Sequence, residues 1–141
     1  MTDPKIAMTN QIDPNQTTAQ RIERGHEIVR ELANGARRPS SLDDLERDFP
    51  FLSNAVTAFA VGEIFDRKVL DVRTRQIALC TAFAALGLTD FLKIHAGYAL
   101  NHGATEAEVK EIANIVIIPG GFPRAIMASQ AIAELLASRR S

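Results

Sequence analysis

Tryptophan is absent, cysteine occurs once, and neither sign of charge dominates, with 16 lysines and arginines against 17 aspartates and glutamates in 141 residues. A lone cysteine cannot cross-link the chain to itself, so a reduced, cytoplasmic setting is expected. Balanced charge argues against wrapping nucleic acid and against attachment to a membrane through a basic patch. The greasiest region is interrupted by Glu63, Arg73, Arg75, Asp90 and Lys93, well short of the ~20 apolar residues of a membrane span. The opening MTDPKIAMTNQIDPNQ lacks the apolar block of a secretory signal. What remains is a chain with 46% hydrophobic residues, suited to one domain and one core.

Residues 1–16 are polar, carry two Asp-Pro pairs and show no helical period, which reads as a flexible N-terminal arm. A single helical domain is expected over residues 17–141. Its first helix begins near Thr17 or Thr18, turns Ile22, Ile28, Val29 and Leu32 inward, and stops at Gly35. Ser41 to Asp44 look like the cap of a short turn ending before Pro50. From Phe51 the positions Leu52, Ala55, Val56, Phe59 and Ala60 follow α-helical spacing, with Glu63 one turn on. Asp66 to Leu70 form a polar link. Asp71 caps a helix closed by Gly87, Thr89 caps one closed by Gly103, and Thr105 with Glu108 forms a capping box. Pro119-Gly120-Gly121 forces a break before a last helix from Phe122 to about Ser138. About six helices and no strand give an all-α fold. The Ala- and Leu-rich stretch from Arg73 to Leu100 carries more apolar surface than so short a chain can cover, so oligomerisation is expected to complete the bundle.

His95 is the leading candidate for chemistry. Mid-helix in FLKIHAGYAL, its ring meets a partly apolar environment; burial lowers a histidine's pKa and a neighbouring carboxylate raises it. It reads either as a proton donor or acceptor or as a core histidine satisfied by a backbone carbonyl. His102 lies two helical turns on, too far for an easy shared metal, and suits the helix end; His26 sits on a charged face; no metal site is expected. Glu63 is an acid in the apolar stretch AFAVGEIF, costly unless paired. It is either ion-paired with Arg67 one turn on or a site carboxylate that orients or charges His95. Arg67, Arg73, Arg75 and Arg124 offer guanidinium forks for a substrate carboxylate, or are surface residues. Cys80 reads as a buried inert thiol. Gly120-Gly121 is a turn, without the spacing of a phosphate loop.

The segments GEIFDRKVLDVRTRQIAL, FLKIHAGYALNHGATEAEVKEI and GGFPRAIMAS, in this order and spacing, resemble the carboxymuconolactone decarboxylase family of the alkylhydroperoxidase-like helical superfamily. The resemblance implies, in the decarboxylase branch, loss of CO2 from 4-carboxymuconolactone during bacterial breakdown of protocatechuate, without cofactor or metal, in a trimer or hexamer. It places that branch's histidine on His95, its carboxylate on Glu63 and its substrate-binding arginines on Arg67 and Arg75, with Arg73 beside them. The peroxidase branch's Cys-x-x-Cys falls on Leu88 and Phe91, and its assisting Glu on Gln76, which excludes thiol-based peroxide reduction. Departures at Phe65, Lys68-Val69 and Pro119 leave three readings. One is a carboxylated-lactone decarboxylase. Another is a proton-transfer enzyme on a different small oxygenated substrate with the same His95 and Glu63. The last is a non-catalytic oligomeric binding protein.

Overall fold

The computed structural model describes residues 13–141. The expected flexible arm therefore lies mostly outside the described residues. Those residues form six α-helices and one π-helical stretch, and no strand occurs among them. The chain is all-α. It divides into two compact units, one ending at Leu70 and the other running from Asp71 to Ser141.

The first unit opens with α1 (Thr18–Ala33). The Thr17 hydroxyl oxygen accepts from the Gln20 N–H while the Gln20 side chain accepts from the Thr17 N–H, satisfying two donors that a helix start otherwise leaves orphaned. Asn34, not Gly35, is the first residue to turn left-handed at the far end, and Gly35 follows it with φ 84°. Gly25, Ile28 and Leu32 are buried on one face, the i, i+3, i+4 spacing of an amphipathic helix. Helix α2 (Ser40–Asp48) starts one residue before the expected cap, after Pro39 and with no side-chain cap bond. Helix α3 (Pro50–Ala55) runs directly into a π-helical stretch, Val56–Phe65.

That stretch corrects the α-helical register expected from Phe51 onward. Leu52 and Phe59 are exposed, whereas Ser53, Ala58 and Gly62 are buried. Two glycines account for it. A Cβ on Gly25 would collide with the Thr57 carbonyl oxygen and lie 2.7 Å from its Cγ2, and a Cβ on Gly62 would collide with the Arg21 carbonyl oxygen. The backbones of α1 and the π-helical stretch thus touch where bulkier residues would hold them apart. Arg24 binds across this pair of helices, reaching Asp66 at 2.7 Å as well as Glu27 and Glu31 on its own helix.

The second unit is three helices around one core. Helix α4 (Val72–Leu86) is capped by Asp71, whose carboxylate accepts from the Thr74 N–H at 2.8 Å. Gly87 closes it with φ 76°, the Leu88 N–H reaching back to the Phe83 carbonyl. Helix α5 (Thr89–Asn101) makes no side-chain cap bond at its start, so Thr89 lies in the first turn rather than capping it. Its end is a second left-handed glycine closure, with Ala104 N–H bonded to Ala99 and Gly103 N–H to Leu100. Helix α6 (Glu106–Arg140) begins with the expected Thr105–Glu108 capping box. Its backbone leaves helical geometry at Gly121 (φ 76°), the break expected after Pro119, and continues to Arg140 rather than ending near Ser138.

Against the expectation that no stretch is long and apolar enough for a membrane span, α6 could cross one by length and composition. In the fold it is a core element. Val109, Ile112, Val116, Ala128, Ile132 and Leu136 pack with Cys80, Ala84, Leu92, Ala96 and Ala99 in a single buried cluster.

Candidate active site

His95 projects from the middle of α5 and is 8% exposed. Its Nδ1 lies 2.6 Å from Oε1 of Gln76, a side chain on the first turns of α4 that is itself 1% exposed. The Phe83 ring stacks on the imidazole at 5.1 Å between centroids, and the Tyr98 ring meets it edge-on at 5.7 Å. Phe91 in turn stacks on Phe83. Where the sequence leads one to expect a backbone carbonyl or a carboxylate, Nδ1 of this histidine faces an uncharged amide. Burial pushes the His95 pKa down to about 4 because an imidazolium in apolar surroundings loses its hydration. At neutral pH the ring is therefore a neutral base. The Gln76 amide oxygen can only accept, so this contact is a hydrogen bond in the Nδ1–H tautomer of the ring.

In the sequence Gln76 stands out only as the residue at the position where a related branch has Glu. Its importance comes from geometry, and the available signal was a polar side chain in the apolar helix RTRQIALCTAF, one that a core admits only when hydrogen-bonded.

Glu63 lies in the first unit, near the end of the π-helical stretch, with its side chain 9% exposed. Its ion-pair partner is Arg21 of α1, at 3.0 Å from Nε, in place of the expected Arg67. The contact joins α1 to the π-helical stretch beside the Gly62–Arg21 backbone approach. A pair held this way offsets part of the cost of a carboxylate in an apolar helix. Arg67 is exposed beyond that stretch.

In the second unit Arg73 is ion-paired with Glu108, the capping-box residue of α6. The Thr105 backbone N–H and then the Arg73 guanidinium hold the Glu108 carboxyl down at about 2. Arg73, expected at the substrate, also braces this helix junction. Arg75 is half-buried, directly before Gln76 on α4. The Arg124 guanidinium occupies the space a Cβ on Gly87 would need. Its charge lies over the carbonyl end of α4, where a cation is favoured.

Cys80 is fully buried, with its thiol pKa pushed up to about 12 by loss of hydration. At neutral pH it holds its proton and makes a poor nucleophile. No group of three or more His, Cys, Asp or Glu placed to hold a metal ion occurs among the described residues.

Comparison with known proteins reaches the same helices. The profile of the carboxymuconolactone decarboxylase family matches residues 50–134, which takes in the π-helical stretch, α4, α5 and most of α6. The chain is 31% identical over 107 residues to a 4-carboxymuconolactone decarboxylase of Acinetobacter baylyi, an overlap of 74% of this chain and 78% of that one. It is 33% identical over 73 residues to an uncharacterized protein of Methanocaldococcus jannaschii, covering 52% of this chain and 68% of the relative. With an all-α fold, a profile match over more than half its length and 31% identity to a named member, the chain belongs to the carboxymuconolactone decarboxylase family.

Proposed function

We propose that this protein is a cofactor-independent decarboxylase acting on a small carboxylated lactone, with His95 as the proton-transfer group. The observation that carries the reading is the buried His95 ring, held at Nδ1 and walled by Phe83 and Tyr98. Identity to the 4-carboxymuconolactone decarboxylase supports the substrate class.

The chemistry sets what the ring must do. Breaking the C–COO⁻ bond releases CO2 and sends its electron pair into the lactone's conjugated carbonyl, and a proton must then reach carbon. Free His95 holds no proton to give at neutral pH. An anionic substrate beside the ring favours the imidazolium, so substrate binding and proton uptake at Nε2 occur together. The same proton is then delivered to carbon, leaving the ring neutral. Arg75, adjacent to Gln76, is the proposed anchor for the retained carboxylate. Glu63 and Arg67 enter on the family resemblance alone.

The pH dependence tests this. The donor is the protonated ring and the free protein's pKa is about 4. With a carboxylated lactone, kcat/KM therefore falls about tenfold per pH unit as pH rises above that value, since this ratio reports the free enzyme's groups. Turnover is followed by CO2 release across a panel of lactones. A kcat/KM that stays level from roughly pH 5 to 8 would assign the delivered proton to another donor. No turnover on any carboxylated lactone would sink the decarboxylase reading.

The family resemblance also supports assembly as a trimer or hexamer in the cytoplasm. In the second unit Ile118 is 89% exposed and Phe122 68%, and in the first Phe51 is 87% exposed. Side chains of this kind in contact with water favour burial between copies. Sedimentation at micromolar concentration is expected to give a species of three or six chains; a species of one chain mass, 15.4 kDa, contradicts the assembly.

A further inference from the structure

We infer that Gln76 is a positioning residue for His95: its amide oxygen fixes the Nδ1–H tautomer, so that the proton arriving with an anionic substrate can bind only at Nε2. This deepens the decarboxylase reading and rests on it for its catalytic meaning.

Three observations carry it. Gln76 and His95 are both buried and 2.6 Å apart, so neither polar group can exchange its partner for bulk water without opening the core. The two come from different helices, α4 and α5, which the Cys80–Leu92–Ala96 packing holds together, so the hydrogen bond is fixed by the fold rather than by local flexibility. Phe83 and Tyr98 limit rotation of the ring, which keeps Nδ1 on the amide.

The choice of an amide has a consequence that a carboxylate would reverse. An ionised carboxylate at Nδ1 would stabilise imidazolium in the empty protein, and the ring would be charged before any substrate arrived. An amide orients without charging. Among the groups facing the ring are the Gln76 amide and Phe83 from α4 and the titratable Tyr98 from α5. Of the charged side chains on the packed helices, Arg73 pairs with Glu108 and Lys93 with Asp90 and Glu134, while Arg75 directly precedes Gln76 on α4.

The test is a long-range proton–nitrogen correlation spectrum of the His95 ring in the whole protein, with and without substitution of Gln76. The wild-type protein at pH 7 is expected to show a protonated, pyrrole-like Nδ1 and a bare, pyridine-like Nε2. Gln76→Leu, confirmed folded by circular dichroism, should lose that preference and give a mixture of tautomers. Gln76→Glu should keep the tautomer, raise the ring's titration midpoint by a unit or more, and move the decline of kcat/KM to higher pH by the same amount. A wild-type ring protonated at Nε2 overturns the inference. So does a Gln76→Leu protein whose ring nitrogens and pH profile match the wild type. The spectra need no substrate. If they behave as expected while every lactone fails to turn over, Gln76 keeps its role as tautomer holder and the decarboxylase assignment alone is lost.

Discussion

His95→Gln lowers kcat on a carboxylated lactone by about 10²- to 10⁴-fold, the span typical of a removed proton-transfer group, and leaves KM within a few-fold of wild type. Glutamine is the informative substitution. It can still hydrogen-bond the Gln76 side chain, so neither buried amide is orphaned, and it fills much of the space between Phe83 and Tyr98. What it cannot do is pick up a proton and return it. His95→Ala removes the same chemistry but also leaves Gln76 unsatisfied, at about 1–3 kcal/mol, and opens a cavity beside Phe83. A loss of turnover in both variants, with only the alanine protein destabilised, separates chemistry from packing. A glutamine variant that retains wild-type kcat removes His95 from the mechanism.

Gly62→Ala is expected to be among the most damaging single methyl groups that can be added to this chain. The new Cβ meets the Arg21 carbonyl oxygen on one side and, at 3.1 Å, the Thr57 carbonyl oxygen on the other. Both obstacles are backbone, so no side chain can swing away. Helix α1 must lift off the π-helical stretch, loosening the Arg21–Glu63 pair. Overpacking of this kind costs about 3 kcal/mol, against which alanine's better helix propensity returns at most about 1 kcal/mol. The melting temperature should fall by several degrees, on the order of 5–10 °C. Gly97→Ala is the control: it is helical, and its Cβ would have only Leu135 Cδ1 at 4.0 Å. That protein should melt at or slightly above the wild-type temperature. Equal melting of the Gly62 and Gly97 variants would refute the close backbone approach.

These two sites differ in how far the sequence revealed them. His95 could be singled out because an ionisable residue in an Ala-rich helix is conspicuous, and the helix itself is announced by Gly87 and Gly103 at its borders. The caps at Asp71 and Thr105 were equally visible, since capping is local chemistry and three residues suffice to encode it. The partners of the key side chains were not visible. Gln76 is nineteen residues from His95 and Arg21 is further still from Glu63. Such pairings are set by which helices pack, and spacing along one helix is silent on them. The π-helical stretch was missed for a related reason. A 3.6-residue period put Phe59 inside, but the winding obeys the contact with α1, which selects Ala58 and Gly62 because they are small. Residue type marks Arg73 as a fork for a carboxylate, but its pairing with Glu108 across a helix junction is set by packing that spacing does not show.

Keeping an imidazole uncharged inside a protein has an effect on acid tolerance. The ring titrates near 6.5 once the chain is open and at about 4 while it is folded. Between those values the unfolded chain binds the extra proton, so stability increases with pH across this interval. The contribution is complete above pH 6.5 and drains away as the solution is acidified toward pH 4, a swing on the order of 3 kcal/mol. Mild acid thus pulls on the second unit from its interior, at the very ring proposed to hand over the proton.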